Sequence, residues 1–198
     1  MKLIVGLGNP GPKHLNTRHN FGFMALNYFQ DSTGAFADWL ANDSFKSIIS
    51  EGELNEEKVF LVKPQTMMNA SGEAIRLLAD FYQKPLNDLI VVHDDLDLTL
   101  GTLRVSFDAS AAGHKGVSSV INCLGGQKFV RVRLGIKPPQ TQEKQLLSFR
   151  LPETAEKFVL QKFSGQEEPL VKKTLEQAQK ALLVLLKDGL ETAQNQFN

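Results

Sequence analysis

Short apolar runs bounded by turn-forming residues recur along this 198-residue chain and predict β-strands. The run LIVV at 89–92 is fully apolar, whereas residues 129–136 alternate between apolar and polar positions. A polar turn around Asn55, Glu56 and Glu57 joins two of the predicted strands. The predicted strands cover residues 2–8, 45–51, 58–63, 89–93, 103–107 and 129–136.

Between these strands, apolar residues repeat at intervals of three and four, which predicts amphipathic helices over 21–29, 70–82 and 116–124. Asn69 stands at the N-cap position of the second helix. The chain ends in a further helix, whose apolar stripe consists of Val171, Leu175, Ala178, Leu182 and Leu185. Because strands alternate with helices, we expect one α/β domain over residues 1–198 with a single central sheet.

The cysteine content and the lack of long apolar runs indicate the compartment. Cys123 is the one cysteine, so an internal disulfide is impossible and a reducing environment fits. Its apolar neighbours favour a small buried side chain over a nucleophile. No signal peptide follows Lys2, and no apolar run is long enough to span a bilayer. We therefore expect a cytoplasmic protein with no membrane contact.

The charges are unevenly distributed, although the net charge of the chain is zero. Residues 101–150 contain eight lysines and arginines against two acidic residues, a net +6, and the rest of the chain carries −6. A local basic region favours phosphate contact, because counterion release depends on local positive charge. The alternative is an ordinary solvated surface. Residues 138–142 form a polar loop that we interpret as a flap beside this region.

The segment GLGNPG, residues 6–11, matches the dinucleotide-binding pattern G-x-G-x-x-G. That fold requires the glycines to lead directly into a helix and an acidic residue to end the next strand. Here Pro10 and Pro12 stiffen the turn, and the residues after it have no helical periodicity. The acidic residue at the required distance, Asp31, follows a helix. We interpret GLGNPG as a tight turn that presents the Asn9 side chain.

Four further motifs follow this turn along the chain and indicate its function. VGLGNPG, TRHN, KPQTMMNASG, VVHDDLDLTLG and AGHKG follow one another between residues 2 and 136. In order and spacing they resemble the motifs of bacterial-type peptidyl-tRNA hydrolases. The resemblance implies an esterase that cuts the bond between a peptide and the terminal ribose of tRNA, recycling peptidyl-tRNA released during translation.

The resemblance also implies a fold and a set of partners. The fold would be a single α/β domain with a twisted mixed sheet flanked by helices, acting as a monomer. No cofactor and no metal would be needed. The partner would be peptidyl-tRNA, contacted at its acceptor stem and CCA end.

Ester hydrolysis needs a base that takes a proton from water, and His19 is the candidate because a histidine is largely neutral at physiological pH. Asp94 follows the apolar run at 89–92, so we expect its carboxylate at the carboxyl edge of the sheet, near Asn9. A carboxylate bonded to one imidazole nitrogen fixes the tautomer and stabilises the imidazolium. We therefore predict His19 and Asp94 as the catalytic residues.

A metal site is the alternative use of the aspartates at 94, 95 and 97. No histidine and aspartate have familiar ligand spacing, and His93 points away from Asp94 if the strand continues. We expect no metal.

Asn9 and Asn69 carry neutral amides that can bind a substrate without competing with the base for protons. The resemblance assigns Asn9 to the discrimination of peptidyl from free aminoacyl esters, and Asn69 to holding the substrate. A plain helix cap is the alternative for Asn69. Met67 and Met68 would line the groove, with core packing as the alternative for both.

Two positions associated with the tRNA end depart from the family pattern. His14 replaces a tyrosine, and it can still stack on a base or ribose. Lys115 replaces an asparagine, so an acceptor is lost, but three donors for a phosphate or carbonyl oxygen are gained. Arg104 and Arg133 keep the basic character expected of a face that contacts tRNA phosphates.

Two other functions remain open from the sequence. A non-catalytic RNA-binding paralogue with the same fold is favoured by His14, Lys115 and the altered loop at 108–112. It is opposed by the intact Asn9, His19, Asn69 and Asp94. A nucleotide-dependent oxidoreductase would require GLGNPG to lead directly into a helix.

Overall fold

The structure is a computed structural model that describes residues 1–83, 85–139 and 154–198. Most of the predicted flap, residues 140–142, lies outside the described residues. So do Lys144 and Arg150, two of the eight basic residues in the region 101–150.

One seven-stranded sheet forms the centre of the molecule, in the order β2-β3-β4-β1-β5-β7-β6. The strands are β1 (Lys2–Gly6), β2 (Leu40–Asn42), β3 (Ser47–Leu54), β4 (Glu57–Pro64), β5 (Leu89–Thr99), β6 (Leu103–Phe107) and β7 (Val130–Lys137). Strands β4, β1, β5 and β7 run parallel, whereas β2, β3 and β6 pair antiparallel with their neighbours. This arrangement confirms the mixed sheet, and it brings the carboxyl ends of four parallel strands to one edge.

Helices cover both faces of the sheet. They are α1 (Phe21–Thr33), α2 (Ser71–Tyr82), α3 (Lys115–Leu124), α4 (Ala155–Val159), α5 (Glu168–Lys187) and α6 (Gly189–Phe197). One core packs α1 and α4–α6 against strand residues such as Ile4 and Val92, and the other packs α2 and α3 against Leu3 and Val91. Alternate residues of the central strands thus enter opposite cores, as expected when a parallel sheet is buried on both faces.

The entry to α1 lies directly against the sheet because two glycines allow it. A Cβ atom added to Gly22 would collide with the backbone of Leu7 and Val92, and one added to Gly6 would collide with the carbonyl of Gly22. This close approach places His19, in the turn directly before α1, beside Asp94 of β5.

The predicted strands and helices are confirmed, with most ends displaced by a few residues. The largest difference among the strands is β5, which continues to Thr99 instead of ending at His93. The C-terminal helix is divided at Gly189, whose φ of 85° a residue with a side chain rarely adopts. Cys123 is partly exposed rather than buried, and it lies near the end of α3 beside Gly72 of α2. The sequence analysis missed β2 and α4.

None of the helices in the described parts of the chain is long and apolar enough to cross a membrane.

A buried ion pair holds the TRHN segment against the C-terminal region. Arg18 donates from both terminal nitrogens to the two carboxylate oxygens of Glu167, at 3.0 Å each. The guanidinium also lies 4.5 Å from the ring centre of Phe158 and 4.8 Å from that of Phe163. Burial opposes ionisation of Glu167, but hydrogen bonds from Arg18 and Ser164 hold its pKa below the ordinary value. The residue before His19 is therefore fixed by charge, hydrogen bonds and ring contacts together.

We expect the substitution Glu167→Ala to lower the free energy of unfolding by about 3–5 kcal/mol, because it leaves the Arg18 guanidinium buried without its carboxylate. Urea denaturation followed by circular dichroism measures this change. The matched control is Glu51→Ala, which breaks an ion pair with Lys58 that is about half exposed, and it should lower the free energy of unfolding far less. Equal effects of the two substitutions would contradict the structural role of the Arg18–Glu167 pair.

Candidate active site

The predicted dyad lies where β5 extends beyond its neighbour β1. The pairing of these strands ends at Gly6 and Val92, and β5 continues alongside β7 with Asp94 opposite Leu134. The expectation that Asp94 follows the strand is therefore wrong in detail, since Asp94 lies within it. The early end of β1 nevertheless leaves an open notch at the carboxyl edge, and the Asp94 side chain faces His19 there.

His19 and Asp94 are in direct contact, as the sequence predicted. The Nδ1 atom of His19 lies 3.0 Å from both carboxylate oxygens of Asp94. A carboxylate can only accept, so Nδ1 carries the hydrogen and Nε2 carries the free lone pair. The His19 side chain keeps 12% of its surface exposed, whereas Asp94 keeps 2%. The buried Asp94 carboxylate thus orients the His19 imidazole, and the ring remains accessible to solvent.

His114 is a second donor to Asp94, and the sequence analysis did not identify it. Its Nε2 atom lies 3.0 Å from Asp94 Oδ1, and its Nδ1 atom accepts from the backbone N–H of Val117 at 3.2 Å. The second contact makes His114 the N-cap of α3. Because Nδ1 must accept from this N–H, the hydrogen of His114 is confined to Nε2, which makes the side chain a fixed donor to Asp94.

The two histidines determine the charge state of Asp94. Burial alone would raise its pKa, but charge interactions with His114 and His19 and the hydrogen bonds that they donate hold the pKa of Asp94 well below its ordinary value. The carboxylate is therefore ionised throughout the neutral range and accepts from both rings at once.

His93 extends this cluster into the interior. It donates from Nδ1 to the carbonyl oxygen of Asp94 at 2.7 Å, and its ring centre lies 4.7 Å from that of His114. Burial, and then the neighbouring His114, lowers the pKa of His93 well below the ordinary value, so it stays neutral. His93 contacts the backbone of Asp94 and not its carboxylate, in agreement with the alternation of side chains along a continuing strand.

Within the described residues, His19, Asp94 and His114 form the group whose atoms lie close enough together to hold a metal ion. Both ring nitrogens that face Asp94 are accounted for as hydrogen-bond donors, one of them fixed by the cap of α3. Two of the three aspartates proposed as an alternative metal site, Asp94 and Asp95, are engaged by other side chains. Asp95 accepts from Arg133 Nε at 2.7 Å and from the backbone N–H of Asp97 at 2.8 Å.

Asn9 is held so that its side chain presents hydrogen-bond donors. Its Oδ1 atom accepts from the backbone N–H of Met68 at 2.8 Å, which leaves Nδ2 on the other side of the amide. Asn20 fixes the backbone of Asn9, accepting from its N–H and donating to its carbonyl at 2.9 Å each. No described residue accepts from Asn9 Nδ2, so this group is available to an external carbonyl oxygen.

In the motif KPQTMMNASG, a 3-10 turn, Met68–Ala70, precedes α2. This turn determines the positions of Met67, Met68 and Asn69. Asn69 is not the cap of α2, because the turn displaces the start of the helix to Ser71 and makes Ala70 the N-cap. The Asn69 side chain is exposed. Met67 is exposed, as a groove residue would be, whereas Met68 is buried in the core under α2 and α3 and does not line a groove.

A cleft of about 290 Å³ opens beside the dyad. His19, Asp94 and His114 form its polar side, and Leu96, Ala111 and Val159 contribute apolar walls. Lys115, at the rim, forms an ion pair with Glu156 of α4, and both side chains are largely exposed. Lys115 is thus near the dyad, as predicted, and it has a partner within the chain.

The residues His14, Arg104 and Arg133, also predicted to contact tRNA, do not line this cleft. Arg104 and Arg133 are opposite each other on β6 and β7, on the same face of the sheet. Arg104 is exposed, whereas Arg133 is paired with Asp95. His14 is buried in the 3-10 turn Pro12–His14, and burial, together with Lys13 and His19, lowers its pKa.

The segment GLGNPG does not lead into a helix. It is followed by the turn Pro12–His14 and a second turn, Arg18–Asn20, and α1 begins only at Phe21. The geometry required for the dinucleotide-binding interpretation is therefore missing, as its prolines indicated.

Three residues of the site lay inside quoted motifs but were not identified: Arg18 and Asn20 in TRHN, and His114 in AGHKG. The predicted start of α3 at residue 116 did not identify His114 as its cap, because the helix begins one residue earlier, at Lys115. Nothing in the sequence indicated its contact with Asp94, which is 20 residues away.

Comparison with known proteins gives consistent matches. A family model described as peptidyl-tRNA hydrolase matches residues 3–198. The peptidyl-tRNA hydrolase of Carboxydothermus hydrogenoformans is 40% identical over 198 residues, which cover 100% of this chain and 98% of that protein. The enzyme of the same name from Lacticaseibacillus casei is 42% identical over 182 residues, covering 92% of this chain and 91% of that protein.

Solved structures agree with these matches. A crystal structure of peptidyl-tRNA hydrolase from Acinetobacter baumannii has a TM-score of 0.86 and 30% identity, covering 100% of this chain and 94% of that one. The similarity in sequence and structure therefore includes the C-terminal helices, beyond the motifs that end near residue 136.

The site geometry makes a prediction about tautomers. We expect neutral His19 to carry its hydrogen on Nδ1 and neutral His114 to carry it on Nε2, because each hydrogen points at Asp94. Nitrogen-15 chemical shifts of the two rings, measured at alkaline pH and assigned with His19→Gln and His114→Gln, distinguish these forms. The same tautomer on both rings would contradict the arrangement described here.

Proposed function

Because this chain belongs to the peptidyl-tRNA hydrolase family, we propose that it hydrolyses the ester between a peptide and the terminal ribose of tRNA at the His19–Asp94 cleft. The observation that carries this assignment is the orientation of His19. Its Nδ1–H is bound by a buried carboxylate, and its free Nε2 belongs to a side chain that is still accessible. This is the arrangement that a general base needs.

In the proposed reaction, His19 Nε2 takes a proton from a water molecule while the oxygen of that water attacks the ester carbonyl carbon. The bond between the carbonyl carbon and the ribose oxygen then breaks. The ribose oxygen leaves with the proton that the imidazolium returns, and the peptide leaves as a carboxylic acid that ionises in water. Asp94 stabilises the imidazolium between these two steps, and His114 keeps the Asp94 carboxylate in place.

Asn9 supplies the donor for the substrate. Its Nδ2 is the free end of an amide whose Oδ1 is held by a backbone N–H, so it can bind a carbonyl oxygen but cannot accept from an ammonium group through Oδ1. This property supports the assignment of Asn9 to the recognition of a peptide carbonyl. The exposed Asn69 and Met67, next to the Met68 that holds Asn9, would contact the substrate from the opposite side.

We assign the acceptor stem to the face of β6 and β7 that carries Arg104 and Arg133, since their opposed positions place two positive charges side by side. Arg104 has no ion pair in the described parts of the chain, and Arg133 balances Asp95. Lys115 would exchange Glu156 for an oxygen atom of the substrate. The buried His14 would support the turn that follows Asn9, and its direct contact with the CCA end stays a prediction.

We further propose that the protein acts as a monomer in the cytoplasm, where translation releases peptidyl-tRNA. The relatives that match over the whole chain are named as hydrolases, so nothing favours the non-catalytic RNA-binding alternative.

The substitution His19→Ala should reduce the release of peptide from N-acetyl-aminoacyl-tRNA by about 10²–10⁴-fold, because the general base is lost. The affinity for tRNA, measured by filter binding, should change little, and the melting temperature should fall only modestly, because His114 still donates to the Asp94 carboxylate. Unchanged turnover would refute the assignment of the base, whereas loss of tRNA binding would indicate that His19 has a different role.

The substitution Asn9→Asp tests the orientation of the amide. One carboxylate oxygen can still accept from the N–H of Met68, but the outward donor becomes an acceptor that repels a carbonyl oxygen. We expect kcat/KM for N-acetyl-aminoacyl-tRNA to fall by at least about tenfold. The control Asn55→Asp, in the turn between β3 and β4, should leave it unchanged. An active Asn9→Asp variant would show that Asn9 does not donate to the substrate.

A further inference from the structure

A second cavity, of about 370 Å³, lies on the α1 side of the sheet and is lined by Asn9 and by Lys63 near the end of β4. The strand order places β4 and β1 on one side of β5, which carries Asp94, and places β7 and β6 on the other side. The acceptor stem is assigned to the face of β6 and β7. A substrate whose ester lies beside Asp94 therefore extends its peptide in the opposite direction, over Asn9 and toward this cavity.

Asn9 determines which part of the peptide reaches the cavity. The carbonyl assigned to Asn9 belongs to the residue directly before the esterified one, because a free aminoacyl ester lacks this carbonyl. Asn9 lines the second cavity and does not line the cleft of the dyad. The side chain of that preceding residue is therefore the part of the substrate that faces the cavity.

Lys63 is the one cationic side chain among the described residues that line the cavity. Its ammonium group donates to Asn27 Oδ1 at 2.7 Å and lies 3.5 Å from the ring centre of Trp39. No carboxylate in the described parts of the chain forms an ion pair with it. Burial lowers the pKa of Lys63 to about 8, and the charge of Asp31 only partly opposes this effect. Lys63 is thus a partly desolvated cation without a bound carboxylate.

Lys58, on the same strand, has the partner that Lys63 lacks. Its ammonium group lies 4.7 Å from the ring centre of Phe60 and 2.9 Å from a carboxylate oxygen of Glu51, and the side chain is about half exposed. Lys63 has the corresponding ring contact but not the carboxylate, and it lines a cavity. A carboxylate in the cavity would give Lys63 the same pair of contacts, with less competition from water.

The other described residues that line the cavity are uncharged, and they suit an acidic side chain with a short apolar stem. Leu15, Phe23 and Met24 provide apolar surface for the methylene groups of that stem. Asn16 and Gln65 provide amides that can donate to a carboxylate oxygen. A carboxylate that enters here pairs with Lys63 and meets no negative side chain among these residues.

We propose that this cavity makes the protein prefer peptides with an aspartate or glutamate directly before the esterified residue, and that Lys63 binds the carboxylate of this side chain. The inference rests on the proposed function, which places the peptide carbonyl at Asn9. The phosphates of the substrate belong to the tRNA, whose acceptor stem is assigned to β6 and β7. The anion that reaches a cavity beyond Asn9 is therefore a peptide carboxylate.

Two substrates that differ in one charge test this preference. They are N-acetyl-glutamyl-phenylalanyl-tRNA and N-acetyl-glutaminyl-phenylalanyl-tRNA, which share the tRNA, the ester and the shape of the side chain. We expect kcat/KM at pH 7 to be about tenfold higher for the glutamyl substrate, mainly through KM. In Lys63→Met the ratio of the two values should fall to about one. The matched control Lys58→Met should keep the ratio, because Lys58 does not line the cavity.

A pH series adds a readout that misfolding would not produce. Lys63 loses its proton as the pH rises through about 8, so the ratio should fall toward one above that pH. Titration of His19 acts on both substrates alike and cancels in the ratio. Among the described groups against Lys63, Asp31 of α1 keeps its charge over this range, and Asn27 and Trp39 are neutral. The variant Lys63→Arg should retain the preference at pH 9, since an arginine stays protonated.

Trp39 provides a measurement that does not depend on hydrolysis. It is the one tryptophan of the chain, and its ring lies against the ammonium group of Lys63. A carboxylate that binds Lys63 should therefore change the fluorescence of Trp39. We expect N-acetyl-glutamyl-phenylalanine amide to bind about tenfold more tightly than its glutaminyl analogue in this titration at pH 7.

Hydrolysis of both substrates at rates within twofold of each other would overturn the proposal and leave the proposed function intact. An equal loss for both substrates in Lys63→Met would also overturn it, because Lys63 would then contact a part common to both, such as the tRNA. If the unsubstituted protein hydrolysed neither substrate, the proposed function would fall. The Trp39 titration would then decide the subsite, and equal affinities for the two dipeptide amides would remove it.

Discussion

The buried carboxylate of Asp94 is the constraint around which the polar interior of this protein is organised. An ionised group almost without solvent contact requires donors from the protein, because its desolvation is otherwise too costly. His19 and His114 supply them from two different segments of the chain, and His93 binds the backbone carbonyl of the same residue. The entry to α1 and the start of α3 must therefore meet at one point on β5, and the functional cleft is the space between them.

A second buried charge, that of Arg18, fixes the segment that carries His19. It connects the residue before His19 to the beginning of α5 through Glu167 and two phenylalanine rings. The two charged centres have different tasks. The Arg18–Glu167 pair is fully enclosed and fixes a backbone segment, whereas the Asp94 cluster is open on the side of His19 and orients a ring toward solvent. Of the adjacent residues in TRHN, Arg18 thus fixes the backbone, and His19 presents its ring to the cleft.

From the sequence alone, the features that depend on local patterns and motifs could be predicted. Apolar runs located the strands, and the motif context brought His19 and Asp94 together, whereas Asn9 is not among the residues that line their cleft. Contacts between distant segments could not be obtained in this way. The pairing of Arg133 with Asp95 depends on which side chains lie on one face of a sheet formed from seven segments, and the burial of His14 depends on how the turn Pro12–His14 packs in the folded chain. Asn69 failed as a helix cap for a subtler reason, because a 3-10 turn moves the start of α2 by one residue.

His114 uses its two ring nitrogens for two purposes, one for the first turn of α3 and one for the carboxylate. Helix ends are among the first parts of a folded protein to open on warming. When the first turn of α3 frays, the imidazole is released from Val117 and can rotate away from Asp94, while the sheet and both cores remain intact. We therefore expect heat inactivation of this protein to begin as a local event at a helix end, at temperatures below those of global melting.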